Sequence, residues 1–164
     1  KSDINTERQM EEERKQAEKS ATLAIAKSPS QLTAVETGRD GRFIAYDSGT
    51  VLDTKTNLMW ASKDNGSDIN WANAKSYCLS YRGGGYADWR MPTQNELEGL
   101  YDSTVTGYKG HHINNLIELT ACCTWASKTR GSEAASVNFN SGKRSWYHQS
   151  DAVILRALPV RSGK

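Results

Sequence analysis

Gly49-Thr50-Val51-Leu52-Asp53-Thr54-Lys55-Thr56-Asn57-Leu58-Met59-Trp60 is the stretch on which the reading of the fold turns. Residues 49–53 are rich in β-branched and apolar side chains and read as a strand. Residues 53–57 carry turn chemistry, because Asp, Thr and Asn side chains hydrogen-bond nearby backbone and compete with regular structure. Leu58-Met59-Trp60-Ala61 then reads as the returning strand of a hairpin. Immediately upstream, residues 43–47 read as another strand.

Beyond the hairpin the pattern becomes helical. Asn70 can accept a hydrogen bond from a first-turn N–H, so it caps a helix expected over residues 71–81. The inner face of that helix is expected to be Trp71, Ala74, Cys78 and Tyr81. Gly83-Gly84-Gly85 terminates it, since glycine enters left-handed backbone at little cost. Thr93-Gln94-Asn95-Glu96 has the spacing of a capping box and starts a second short helix, with Leu97, Leu100 and Tyr101 on its buried side. In Asp88-Trp89-Arg90-Met91-Pro92-Thr93, Trp89 anchors the core, and Asp88 and Arg90 are expected to pair and fix the loop. Residues 102–120 are loop-like. Further strands are expected at 124–127, 135–139, 143–147 and 152–158. Two short helices enclosed by short strands give an α+β domain.

The aromatic residues set its boundary. All of them, from Phe43 to Tyr147, lie at or beyond residue 43, so the first 42 residues hold no aromatic core. The folding unit is read as residues 43–164, long enough to bury a core. Residues 1–29 are rich in good helix formers and end at Pro29, and they read as a long, charged N-terminal helix. Met10, Ala17 and Ala24 recur every seven residues, a thin seam for a coiled coil. The helix is expected to be a solvated stalk, with homo-oligomer packing or proximity to an anchor as the other readings. Residues 30–42 read as a linker. The chain opens without Met inside a charged segment and is read as a mature or excised product, leaving room for a signal or anchor upstream.

Twenty-one basic and 19 acidic residues leave a net charge of +2, which gives no argument for nucleic acid. No apolar run is long enough to cross a bilayer, so direct membrane insertion is not expected.

Chemistry-bearing motifs are sparse. Three cysteines occur, at Cys78 and at Cys122-Cys123. The first reading is a bridge from Cys78 to one of the pair, or buried thiols. A vicinal bridge between Cys122 and Cys123 and a catalytic thiol are the alternatives. His111, His112 and His148 lack metal-ligand spacing. Glu96 and Glu98 stand two apart on a helix and point to different faces. No nucleophile elbow, phosphate loop or dinucleotide fingerprint occurs. The expectation is therefore no enzyme, with no catalytic residue, metal site or cofactor.

Taken in order, the motifs resemble a bacterial family, the Lcl C-terminal (collagen-like adhesin C-terminal) domain. The hairpin at 49–60 matches the family's opening. Trp71-Ala72-Asn73-Ala74, Tyr77-Cys78, the Gly83–Gly85 turn, Asp88-Trp89-Arg90-Met91-Pro92-Thr93, Glu96-Leu97 and Trp125-Ala126-Ser127 follow as the family's motifs do. The resemblance spans about residues 43–161. It implies a C-type-lectin-like fold used for binding, outside the cytoplasm, on the cell surface or secreted. Family members often end in Arg-Cys-Val-Arg, where this chain has Arg156-Ala157-Leu158-Pro159-Val160-Arg161. The family's bridge to that cysteine is therefore impossible, and Cys78 pairs elsewhere or stays reduced. The Glu-Pro-Asn, Gln-Pro-Asp and Trp-Asn-Asp strings of calcium-dependent sugar-binding lectins are also missing.

The C-terminal segment carries a second resemblance. Arg130-Gly131-Ser132-Glu133-Ala134-Ala135, Gln149-Ser150 and residues 156–161 resemble the variable proteins of diversity-generating retroelements. Their copying errors at adenines turn AAC codons into codons ending in C, which excludes Lys, Glu, Gln, Met and Trp. The compatible residues are Val137, Asn138, Asn140, Ser141, Ser145, Tyr147, His148, Asp151, Ala152, Val153, Ile154 and Leu155. They interleave with Phe139, Gly142, Arg144, Trp146, Gln149 and Ser150, as a strand with one packed face and one variable face requires. Lys143 belongs with the framework.

These twelve residues are the expected ligand surface, facing a protein or carbohydrate on another cell or surface. Tyr147 and His148 are the expected anchors, and Ile154 and Leu155 are expected to be exposed. The rival is an adhesin of fixed specificity that binds polysaccharide or glycosaminoglycan through Lys109, Lys128, Arg130, Lys143 and Arg144.

Overall fold

A computed structural model describes residues 8–15 and 34–163. The chain divides between Thr33 and Ala34 into two units. In the first, residues 8–15 are helical and carry an ion pair between Lys15 and Glu11 at 3.4 Å. The remainder of the helix expected over 1–29 lies outside the described residues, as do residues 30–33 of the expected linker.

The second unit opens with β1 (Glu36–Asp40), inside the stretch expected as linker. Its sequence, Glu-Thr-Gly-Arg-Asp, is polar because β1 is the edge of a sheet with little to bury. Strands β2 (Phe43–Tyr46), β3 (Thr50–Asp53) and β4 (Leu58–Ala61) follow as an antiparallel meander. The decisive hairpin forms as read, with Val51 opposite Trp60. Asp53 Oδ1 accepts from Lys55 N at 3.0 Å, and Asn57 takes the left-handed conformation that closes the turn. The last strand, β9 (Val160–Ser162), returns to pair with β4. The order is β1-β2-β3-β4-β9, so the final residues of the domain close against its opening hairpin.

Between β4 and β9 lie the two expected helices and a second sheet. Helix α1 (Trp71–Ser80) starts at Asn70, whose side chain accepts from Asn73 N at 2.9 Å. It ends two residues before the glycine run, at an extended Tyr81. Ala74 and Cys78 are buried, while Trp71 and Tyr81, expected beside them, are half-buried. Helix α2 (Gln94–Glu98) carries the complete Thr93–Glu96 capping box. Arg90 does not pair with Asp88; it grips Glu96, and Asp88 pairs with Arg161 at 2.6 Å. Glu96 thus locks the loop onto α2, and Asp88 locks it onto β9.

The second sheet runs β7 (Arg144–His148), β6 (Glu133–Asn138), β5 (Cys123–Arg130), β8 (Leu155–Arg156). The first three strands are antiparallel, and β8 pairs with β5 in parallel. Residues 152–158, expected as one strand, yield only the short β8. The central part of this sheet is covered on both faces. Ala126, Ala135 and Val137 join one cluster with Trp60, Leu97 and Phe139, while Cys123, Trp125 and Ala134 join another with Ala74, Cys78 and Leu155. The 102–120 segment has no strand, yet its Ile113, Ile117 and Leu119 are fully buried. No helix among the described residues is long and apolar enough to cross a membrane.

Candidate functional site

Strand β7 is an edge strand, and the residues expected to bind ligand are distributed along and beyond it. Its five residues span about 16 Å at the usual rise of a strand. At one end is the turn from β6, with Asn138, Asn140 and Ser141. At the other is the loop to β8, with Asp151, Ala152, Val153 and Ile154. Ser145 and Tyr147 lie between them on one face of β7, opposite Ser136 and Ala134 of β6.

Two of the twelve expected residues are not on the surface. Val137 and Leu155 are completely buried, in the two different core clusters. Alternation along a strand leaves one face free only where the sheet has an uncovered face, and at Val137 and Leu155 both faces are covered. Of the other ten, Asn140, Ser141, His148, Asp151, Val153 and Ile154 are exposed. Asn138, Ser145, Tyr147 and Ala152 are half-buried.

The turn end is held by its own polar groups. Asn138 N–H donates to Lys143 O at 3.0 Å, and Asn138 Oδ1 accepts from Asn140 N at 2.8 Å. Asn140 Oδ1 lies 2.8 Å from His111 Nδ1. A ligand at this end would compete with those bonds.

The loop end is organised differently. Gln149 O accepts from Trp71 N at 3.1 Å, so the first residue of α1 seats the loop. Asp68 Oδ1 accepts from Ile154 N at 3.1 Å and from Arg156 Nη1 at 2.5 Å, while Arg156 Nε donates to Thr120. These bonds hold Ile154 at φ 64°, the left-handed region that a β-branched residue enters only under strain. The same clamp leaves Val153 73% exposed and Ile154 45% exposed, side by side. Tyr147 packs edge-on against Trp125 with ring centroids 6.3 Å apart, and His148 Nδ1 lies 2.6 Å from Ser150 Oγ. The hydrogen bonds from Arg156 and then from the Ile154 amide hold the Asp68 carboxyl below its usual range. Sequence reading assigned no role to Asp68, Arg156 or the Trp71 amide, because their effect depends on contacts from 36 to 88 residues away.

A comparison with family models matches the Lcl C-terminal domain over residues 49–161. The chain belongs to this family. A search of curated proteins returns no match. The Lcl C-terminal domain is an adhesin-type domain, which fits a surface location.

The Lcl C-terminal domain described here carries a bridge between Cys122 and Cys123, adjacent in sequence, and a free buried Cys78. The preferred bridge from Cys78 is overturned in favour of the vicinal alternative. Burial pushes the Cys78 thiol up to about 12, so it carries almost no thiolate at neutral pH.

The basic residues of the rival reading are all exposed, but two are already paired with carboxylates. Arg144 holds Glu98 at 2.6 Å and also bonds Asn95. Arg130 pairs with Glu133 at 3.3 Å and stacks over Trp146 at 4.2 Å. A polyanion would have to compete with two carboxylates of this domain.

Proposed function

We propose that this domain is a non-enzymatic ligand-binding module that engages a partner macromolecule through the loop after β7. The carrying observation is the exposed Val153–Ile154 pair on a loop clamped by Asp68. Exposed apolar side chains on a preorganised loop suit a protein partner, because little ordering entropy is lost on binding. Tyr147, His148 and Asp151 flank the pair and supply aromatic and polar contacts.

The finer reading keeps the C-type-lectin-like scaffold, supported by the two short helices and the final strand paired with the opening hairpin. It also keeps retroelement diversification, with Val137 and Leu155 removed from the variable surface. Support comes from the interleaving of exposed compatible residues with buried Phe139 and half-buried Trp146. The genomic test is a near-copy of the coding stretch for residues 134–161, differing at adenines, beside a reverse transcriptase. Absence of that copy returns the domain to an adhesin of fixed specificity.

The binding test uses beads coated with the whole chain and a cell surface to which they adhere. Val153→Asp with Ile154→Asp is expected to abolish adhesion, whereas Lys128→Ala with Lys143→Ala leaves it intact. Raising salt from about 0.1 to 0.5 M shortens the screening length about twofold and is expected to change adhesion little. The opposite pattern, steep salt loss and dependence on the lysines, establishes the polyanion reading instead.

A further inference from the structure

The two sheets have four edges between them, and three of these are closed by the chain itself. β1 is broken by a bulge between Glu36 and Gly38 and carries the Arg39–Glu36 ion pair, both of which discourage a further strand. β9 is met on its outer side by Arg90, whose N–H donates to Val160 O at 2.9 Å and whose carbonyl accepts from Val160 N at 3.0 Å. β8 is met by the 65–69 segment, where Asn65 N donates to Ala157 O at 3.1 Å and Ile69 N to Leu155 O at 3.2 Å.

β7 is different. Its register with β6 is unbroken from Arg144 to His148, without a bulge or a proline. Bonds at the two ends of that register fix which residues face β6. Asn138 N donates to Lys143 O at 3.0 Å, and Gln149 N donates to Ser132 O at 2.8 Å. Bonded pairs in an antiparallel ladder recur at every second residue, so Ser145 and Tyr147 direct their backbone groups to β6. The N–H and C=O of Arg144 and Trp146 and the N–H of His148 point the other way, out from the sheet. None of these five groups makes a hydrogen bond among the described residues.

Donors and acceptors alternating at the spacing of a strand are complementary to an extended polypeptide. Charge selects which polypeptide. Lys143 stands just before β7, and Asp151 stands just after it, in a turn where its N–H donates to His148 O at 2.9 Å. Both side chains are exposed and make no ion pair among the described residues, whereas Arg144 is paired with Glu98 and Arg130 with Glu133. Opposite charges at the two ends of a strand are what antiparallel self-pairing requires. A two-fold axis through Trp146 sets Arg144 of one copy opposite His148 of the other. It also brings Lys143 of each copy beside the turn that holds Asp151 of the other. We infer that β7 is the contact edge for a second copy of this chain, joining two four-stranded sheets into one continuous sheet. The contact does not use Val153 or Ile154, so it and the proposed ligand surface can each fail without the other.

A five-residue strand gives a small interface, so a weak dimer is expected, with a Kd on the order of 0.1 mM. The test is sedimentation equilibrium of the whole chain from about 10 µM to about 1 mM, with amide hydrogen exchange followed by NMR at both limits. At the higher concentration exchange should slow at Arg144, Trp146 and His148. It should stay unchanged at Ser145 and Tyr147, which are bonded to β6 at every concentration. That alternation separates strand pairing from association through the N-terminal segment. Lys143→Asp turns two attractions across the axis into repulsions and is expected to weaken the dimer about tenfold, and adding Asp151→Lys should restore it. Arg144→Pro removes an outward N–H and no bond to β6, and should abolish the dimer, whereas Arg144→Ala, which loses the same ion pair, should retain it. The inference is overturned if the chain is monomeric at about 1 mM, which would leave the edge to a strand of another protein. It is equally overturned if exchange slows elsewhere but not at the three alternate residues, or if Lys143→Asp dimerises as tightly as the unsubstituted chain.

Discussion

The two ends of strand β7 are built for opposite purposes. At the turn end, Asn138, Asn140 and Ser141 bond backbone, one another or His111, and glycine supplies the required left-handed residue at Gly142. At the loop end, a β-branched Ile154 occupies the left-handed region, held there by a carboxylate from far earlier in the chain. One end has local chemistry that agrees with its conformation. The other has a conformation imposed from outside, with apolar side chains held in water. Strain and exposed apolar surface at the same place are the two features on which the proposed binding role of this loop rests.

The sharpest way to break this contrast is to compare Leu155 with Val153. Leu155 is fully buried beside Cys123 of β5, so Leu155→Ala should cost about 2–5 kcal/mol in chemical denaturation. Val153→Ala should stay within about 0.5 kcal/mol, because its side chain packs on little. Equal costs would mean that the loop belongs to the core and has no free surface.

Next in size is Gly142→Ala at the turn end. A methyl there would stand 2.6 Å from the Tyr101 ring at a φ of 73°, and a loss of about 1–3 kcal/mol is expected. The mirror experiment is Ile154→Gly at the loop end. Relief of about 1–2 kcal/mol of left-handed strain outweighs the added freedom of the unfolded glycine, so stability should rise by up to about 1 kcal/mol. A fall in stability on Ile154→Gly would remove strain from the account of this loop.

The smallest effect concerns pH. Because Asp68 is held below its usual value of 3.8, the clamp contributes stability above that value and loses it as pH falls through the lower folded-state value. Amide exchange at Ile154 should therefore accelerate upon acidification below about pH 3.8, beyond the change seen in an Asp68→Asn variant. Glu96 adds to the same acid limit. Burial raises its carboxyl, but bonds from Arg90 and the Thr93 amide outweigh that and hold it low.

The contrast also explains what could be read from the chain. The 49–60 hairpin and the Thr93–Glu96 cap were legible because each is closed by bonds between residues at most four apart. Of the five tryptophans expected as framework, Trp60, Trp89 and Trp125 are enclosed, while Trp71 and Trp146 are half-buried. Val137 and Leu155 were misplaced because alternation reports a strand's two faces and says nothing about what covers each. β1 escaped notice because an edge strand with polar residues has the composition of a linker. A cavity beside Tyr101 was invisible for a different reason: it joins Arg42, Tyr101 and Asn114, which no local pattern connects.

The Cys122–Cys123 bridge has a consequence for what oxidation does to this domain. A link between neighbouring residues encloses almost no chain, so it removes little freedom from the unfolded polypeptide. It fastens no distant segments together. Distant segments are joined instead by the two apolar clusters. Oxidation therefore joins two side chains across a single peptide link at the start of β5 and ties no other part of the domain.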